Sequence, residues 1–249
     1  MSKVFQASGG LLKIINRCQR LTSVMSSSQR LDKFEQHGLG PIISSLNLPV
    51  RGLKNQAIQF RKAPVDYPPV TGSDHWRRKM RTLFRSLDVN GDGYITKEDY
   101  VISAKRCAEY LDLDDERAEY LLNQRVAVWE SISKSSEDTS KISEEECLRS
   151  AIVLCNQRSY RQEVFPKQIS MHFTAVDLDS DGLISREEHS ASCYSSNIPE
   201  EEAQKLFDLL DPDKDGFITI DEFAQSFTEF FFTEDPHNTY SGMFGPLAD

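Results

Sequence analysis

The segment Asp211 to Glu222 reads DPDKDGFITIDE and leaves its backbone little freedom. Asp211, Asp213 and Asp215 alternate, Gly216 stands sixth, Ile218 eighth, and Glu222 closes the twelve. Carboxylates at positions 1, 3 and 5 crowd negative charge that only a cation offsets, and a glycine at position 6 permits the sharp turn that brings position 12 back. A hard divalent ion takes roughly six to eight oxygens, and a chain that doubles back supplies them from one short stretch. Asp211, Asp213, Asp215 and Thr219 are the expected side-chain ligands, Thr219 directly or through water. Phe217 would contribute its carbonyl and Glu222 both carboxylate oxygens.

Two more stretches repeat the pattern. Asp177 to Glu188, DLDSDGLISREE, fills it with Asp177, Asp179, Asp181, Leu183, Ser185 and Glu188. Asp88 to Asp99, DVNGDGYITKED, does so with Asp88, Asn90, Asp92, Tyr94, Thr96 and Asp99. Such loops belong to EF-hands, each flanked by two helices. Asp99 departs from the usual glutamate at position 12. One methylene shorter, it reaches a large ion less readily with both oxygens, so the first site should discriminate less against magnesium.

A fourth loop aligns if Ile142 takes position 8, running from Ser135 to Glu146 as SSEDTSKISEEE. Ser135 replaces the first carboxylate and Ser140 the glycine, so the hand is expected to keep its helices and lose its metal. EF-hands pair through position 8, which matches Ile95 with Ile142 and Ile184 with Ile218. The predicted architecture is an all-α, compact four EF-hand domain over residues 74–249. Its hands lie at about 74–110, 114–156, 163–195 and 198–232, with a tail at 233–249.

Apolar periodicity supplies the flanking helices. Trp76, Met80, Leu83, Phe84 and Leu87 form one face ahead of the first loop, with Arg77, Arg78, Lys79 and Arg81 on the solvated side. A helix from Asp114 to Ser133 buries Trp129, and one from Glu144 to Cys155 turns Cys147, Leu148 and Ala151 inward. Ser73 or Asp74 can cap the first helix and Asn197 the one that leads into the last loop. Phe223, Phe227, Phe230, Phe231 and Phe232 form a stripe wider than one hand needs. It is expected to seat the two halves together or to receive the tail.

Residues 1–73 read differently, as a basic, mostly disordered leader and linker. Residues 1–75 hold ten Lys/Arg against four Asp/Glu, while the whole chain carries a formal charge of −10. Residues 1–30 contain no acid, and Val4, Ala7, Leu11, Ile14, Cys18 and Leu21 recur at helical spacing. That composition matches a mitochondrial transit peptide; an incidental basic extension is the alternative. Glycines and prolines crowd residues 38–73, so ordered structure is expected from about Ser73. The acidic remainder excludes a nucleic-acid surface, and no apolar run is long enough to span a membrane. Five cysteines without a CxxC spacing read as reduced thiols. The histidines, among them His172 and His189 flanking the third loop, read as surface or satisfied polar groups, and no enzyme is expected.

On the strength of Asp99 closing the first loop, Trp129 in the second hand, the vestigial second loop, two complete loops and the ending EFFFTEDPHNTYSGMFGPLAD, the chain resembles the invertebrate sarcoplasmic calcium-binding proteins. That family is related to calexcitin and to the coelenterazine-binding proteins. The resemblance covers about residues 76–249. It implies a monomeric cytoplasmic buffer with three filled calcium sites for which magnesium competes, no protein partner being required. The five methionines are few for a sensor that opens a methionine-rich groove. A calexcitin-like sensor is one alternative. The other is a carrier of an apolar small molecule, lined by Trp76, Trp129, Tyr94 and the Phe223–Phe232 stripe.

Overall fold

The structure, a computed structural model, describes residues 57–134 and 138–249. The leader's helical stripe over Val4–Leu21, the first part of the linker, and Ser135 and Glu137 lie outside the described residues.

Eight α-helices and four three-residue strands make up the described chain, with short 3-10 and π turns between them. Helix α1 (Asp74–Leu87), strand β1 (Tyr94–Thr96) and α2 (Lys97–Tyr110) form the first hand. Helix α3 (Asp115–Ser133), β2 (Lys141–Ser143) and α4 (Glu144–Cys155) form the second. The third is α5 (Phe165–Thr174), β3 (Leu183–Ser185) and α6 (Arg186–Ser195), and the fourth is α7 (Glu200–Leu210), β4 (Phe217–Thr219) and α8 (Ile220–Phe232). Ser73 caps α1 by accepting from the Trp76 amide, and Asp114 caps α3 in the same way from Arg117. Asn197 caps nothing. It sits at φ +59, its Nδ2 donates to Val89 O, and Pro199 stands at the head of α7. The left-handed turn points the Asn197 side chain back toward the first hand, so Arg106 rather than a helix end takes its Oδ1.

The hands pair as position 8 requires. Strand β1 runs antiparallel to β2 with Ile95 opposite Ile142, and β3 to β4 with Ile184 opposite Ile218. Ile184 and Ile218 are fully buried, so each strand pair also pins two loops to the core. Below them the phenylalanine stripe of α8 meets α5 and the tail. Phe165 packs edge-on to Phe232 at 4.7 Å between ring centres, and Phe244 packs on Phe230 at 4.9 Å and Phe227 at 5.7 Å. Edge-to-face geometry sets positive ring edges against negative faces. The stripe therefore does receive the tail, whose Ala248 amide also donates to Thr82 Oγ1 at 2.8 Å.

Two stretches differ from the sequence expectation. Residues 57–73, read as linker, lie on the domain. Tyr67 and Val70 are buried, and Ile58 and Phe60 pack against the core. The breakers that erase periodicity also free backbone carbonyls, and Arg161 collects them. Its guanidinium donates to Pro64 O, Tyr67 O and Pro68 O as well as to Cys155 O. The amides follow suit: Gly72 N and Ser73 N donate to Glu234 Oε1, and Val70 N to Asn156 Oδ1. Lys79, assigned to the solvated face, is fully buried. Its ammonium donates to Phe230 O and Thr233 O at the end of α8, where unpaired carbonyls and the negative end of the helix dipole favour a cation. No helix among the described residues is long and apolar enough to cross a membrane.

Candidate metal centres and a buried cavity

Each loop builds its concavity from its own backbone. In the third, Gly182 takes φ +90, a conformation that a residue with Cβ adopts only under strain, and its amide donates to Asp177 Oδ2 at 3.1 Å. Gly216 at φ +92 does the same to Asp211 Oδ2 at 3.0 Å, and Gly93 at φ +87 to Asp88 Oδ2 at 2.9 Å. Position 12 is fixed by a reciprocal cap. Ser185 accepts from the Glu188 amide while Glu188 accepts from the Ser185 amide, and Thr219 with Glu222 and Thr96 with Asp99 repeat the exchange. The closing carboxylate is thus held at the head of the exiting helix before any ion is considered.

Carboxylates converge most closely in the second pair. Among the described residues, ligand atoms of Asp177, Asp179 and Glu188 lie within 4.8 Å of one another, and so do those of Asp211, Asp213 and Asp215. Asp177 Oδ1 is buried with no hydrogen-bond partner. Burial pushes the Asp177 carboxyl up to about 6, and Glu188, Asp181 and Asp179 push the same way against the Gly182 amide. An orphaned buried carboxylate oxygen facing further carboxylates fits a hard cation with oxygen preference. Asp181 and Glu222 sit in their loops outside these clusters, with Asp181 Oδ1 accepting from Leu183 N and Glu222 Oε2 from Thr219 N. Leu183, Ser185, Phe217 and Thr219 occupy the strands at positions 7 and 9 as expected.

The first loop keeps the turn but spreads its carboxylates. Asp88, Asp92 and Asp99 form no such cluster, and Asn90, at the position an aspartate holds in the third and fourth loops, donates to Asp92 Oδ2 at 3.2 Å. Asp99 is drawn onto Thr96 N at 2.7 Å and Asn90 N at 3.2 Å. Tyr94 and Thr96 hold positions 7 and 9 in β1. In the second hand β2 still pairs, while Ser140 lacks the positive φ of the glycines and Asp138 Oδ1 takes its amide at 2.8 Å.

A cavity of about 320 Å³ lies between the hand pairs, where the carrier alternative requires one, at the low end of the range for small-molecule sites. Leu83, Ala151, Ile169, Phe227 and Phe244 supply apolar wall, and Arg125, Glu146, His172 and His189 enter it. His189 is therefore buried and His172 half-buried in the cavity wall, neither of them on the outer surface expected. Burial pulls each imidazole down to about 4, Arg125 adding to the effect on His172 and Arg186 on His189. Trp76 and Trp129 do not line the cavity. Trp76 donates to Phe231 O, Trp129 packs on Tyr100, and Tyr94 is exposed beneath Lys141. For Arg125, which sequence reasoning missed, a charged residue on the apolar stripe Leu121, Arg125, Val128 was the available signal.

Paired helix–loop–helix units with carboxylate loops define an EF-hand protein. Comparison with known proteins agrees. A family model described as an EF-hand domain pair matches residues 166–228, and one described as EF hand matches residues 80–101. The chain is 28% identical to the luciferin-binding protein of Renilla reniformis over 72% of its own length and 100% of that protein. It is 29% identical to the sarcoplasmic calcium-binding protein of Hediste diversicolor over 47% of its length and 67% of that protein. The solved structure of the coelenterazine-binding protein of Renilla muelleri, in its calcium-loaded apo form, superposes with a TM-score of 0.62 at 27% identity, covering 70% of this chain and 99% of that one. Within the EF-hand class, the chain is a relative of the sarcoplasmic calcium-binding and coelenterazine-binding proteins.

Proposed function

We propose that the protein is a calcium buffer with three filled sites, for which magnesium competes. The observation that carries the reading is the oxygen-only cluster at Asp177, Asp179 and Glu188 with its orphaned Asp177 Oδ1, echoed at Asp211, Asp213 and Asp215. The ligand set is completed by Asp181, Leu183, Ser185, by Phe217, Thr219, Glu222, and in the first loop by Asp88, Asn90, Asp92, Tyr94, Thr96 and Asp99. The shorter closing carboxylate makes the first site the one magnesium occupies most readily. A buffer keeps its apolar surface covered. Met80 and Met243 are buried, and the large apolar side chains exposed among the described residues (Tyr94, Tyr110, Val164, Tyr194 and Phe217) include no methionine. That favours a buffer over a calcium sensor with a partner groove.

Calorimetric titration with calcium, with and without magnesium, is expected to find three sites, the first weakened most by magnesium. A fourth site would overturn the reading of Ser135–Glu146. Calcium-induced binding of a hydrophobic dye, relative to the magnesium form, would instead establish a sensor. The cavity supports a second role, carriage of an apolar small molecule, which copurification of a chromophore or lipid from expressing cells would reveal. We place the protein in the cytoplasm as a monomer without enzymatic activity. Imaging with and without residues 1–30 tests import into mitochondria.

A further inference from the structure

The cavity is not uniformly apolar. Arg125 enters it from the middle of α3, and its Nε and Nη2 are buried with no hydrogen-bond partner. These two nitrogens share one edge of the guanidinium plane, where their N–H bonds run parallel at the spacing of two carboxylate oxygens. The guanidinium keeps its charge at any working pH, so burial without an acceptor is unfavourable unless something supplies one. No oxygen of the protein does; the Cys107 thiol, a weak acceptor, is the group that lies against the guanidinium. Glu146 is the one carboxylate in the lining, and neither nitrogen reaches it. The other groups within electrostatic reach are Tyr100 and Cys107 on α2 and His172 on α5, none of them an anion at neutral pH: burial raises the phenol and the thiol and lowers the imidazole. Away from Arg125 the wall is aliphatic and aromatic, through Leu83, Ile169, Phe227 and Phe244.

Resting on the carrier reading above, we propose that the cavity takes an apolar organic acid whose carboxylate docks on the Nε–Nη2 edge of Arg125 while its hydrocarbon part lies against the Leu83–Phe244 wall. A neutral apolar molecule would fill the space and leave the guanidinium edge unpaired.

The test uses the full calcium-loaded chain and two probes, cis-parinaric acid and its methyl ester, followed by fluorescence. Two charge-assisted hydrogen bonds correspond to a preference of about tenfold or more for the acid. The Arg125→Met variant, which keeps side-chain length and removes the donors, is expected to lose that preference while binding the ester as before. Equal binding of acid and ester by the unaltered chain, or acid binding undiminished in R125M, would overturn the proposal and leave the carrier role standing. Binding of neither probe would overturn the carrier role with it. Should R125M fail to fold, the acid-to-ester ratio of the unaltered chain decides the matter alone.

Discussion

Arg161 is the residue on which the packing of residues 57–73 rests, and Arg161→Met removes its donors while keeping most of its bulk. The side chain is 6% exposed and makes four hydrogen bonds to carbonyls, three of them in Pro64–Pro68, while stacking 4.6 Å from the Phe232 ring centre. A bond from a charged donor contributes about 1.5–3 kcal/mol. The four do not add in full, because carbonyls of a released segment regain water while Cys155 O does not. The loss is then bounded by what otherwise holds the segment: the burial of Tyr67 and Val70, the Asn156 pair and the Glu234 contacts. A loss of about 3–5 kcal/mol is expected, in the range of a broken buried network. For a domain of this size that is a fall in Tm of roughly 10 °C. Amide exchange should rise first at Val70, Gly72 and Ser73, whose amides point at Asn156 and Glu234, while the helices of the second hand pair keep their protection. A loss under about 0.5 kcal/mol, with those amides unchanged, would refute the view that Arg161 fastens this segment.

Glu222→Gln should remove one of three calcium sites in calorimetry and leave stability in chelator nearly unchanged, since an amide oxygen can still accept from Thr219. Asp99→Glu should shift the first site toward calcium, read as a smaller effect of magnesium on its titration. Ile218→Ala removes a fully buried side chain from the β3–β4 pair; it should cost about 2–5 kcal/mol and weaken the third and fourth sites together. His172 titrates at about 4 in the folded chain against 6.5 unfolded. The unfolded state then binds more protons between those values, so the stability held by the neutral ring is complete above 6.5 and declines as pH falls toward 4. His172→Gln should flatten chelator-form denaturation midpoints over that window; an unchanged slope would show that the ring reaches water freely.

The EF-hand loops were legible because their pattern is local: position 1 to position 12 lies within one turn of chain, and the alternation of carboxylates needs no distant partner to be recognised. The strand partners followed from the same local rule, Ile95 with Ile142 and Ile184 with Ile218. What sequence could not show is where a cation finds its acceptors. Lys79 lies on the buried face of α1 with Trp76 and Met80, as Arg125 does on α3 with Leu121 and Val128, yet a charge is assigned to solvent by default. Lys79 goes inside because the end of α8, more than 150 residues away, offers two carbonyls. Arg161 goes inside because a proline-broken segment almost a hundred residues earlier has carbonyls that no helix or strand claims. By the same rule a cationic group drawn inside should be matched to oxygens, as Lys79 and Arg161 are. Arg125, half-buried as a whole, has a buried bidentate edge that meets none, and it stands in the wall of the cavity between the hand pairs. The misfit that sequence periodicity hid is therefore the feature that most sharply separates an acid-binding cavity from an ordinary gap in packing.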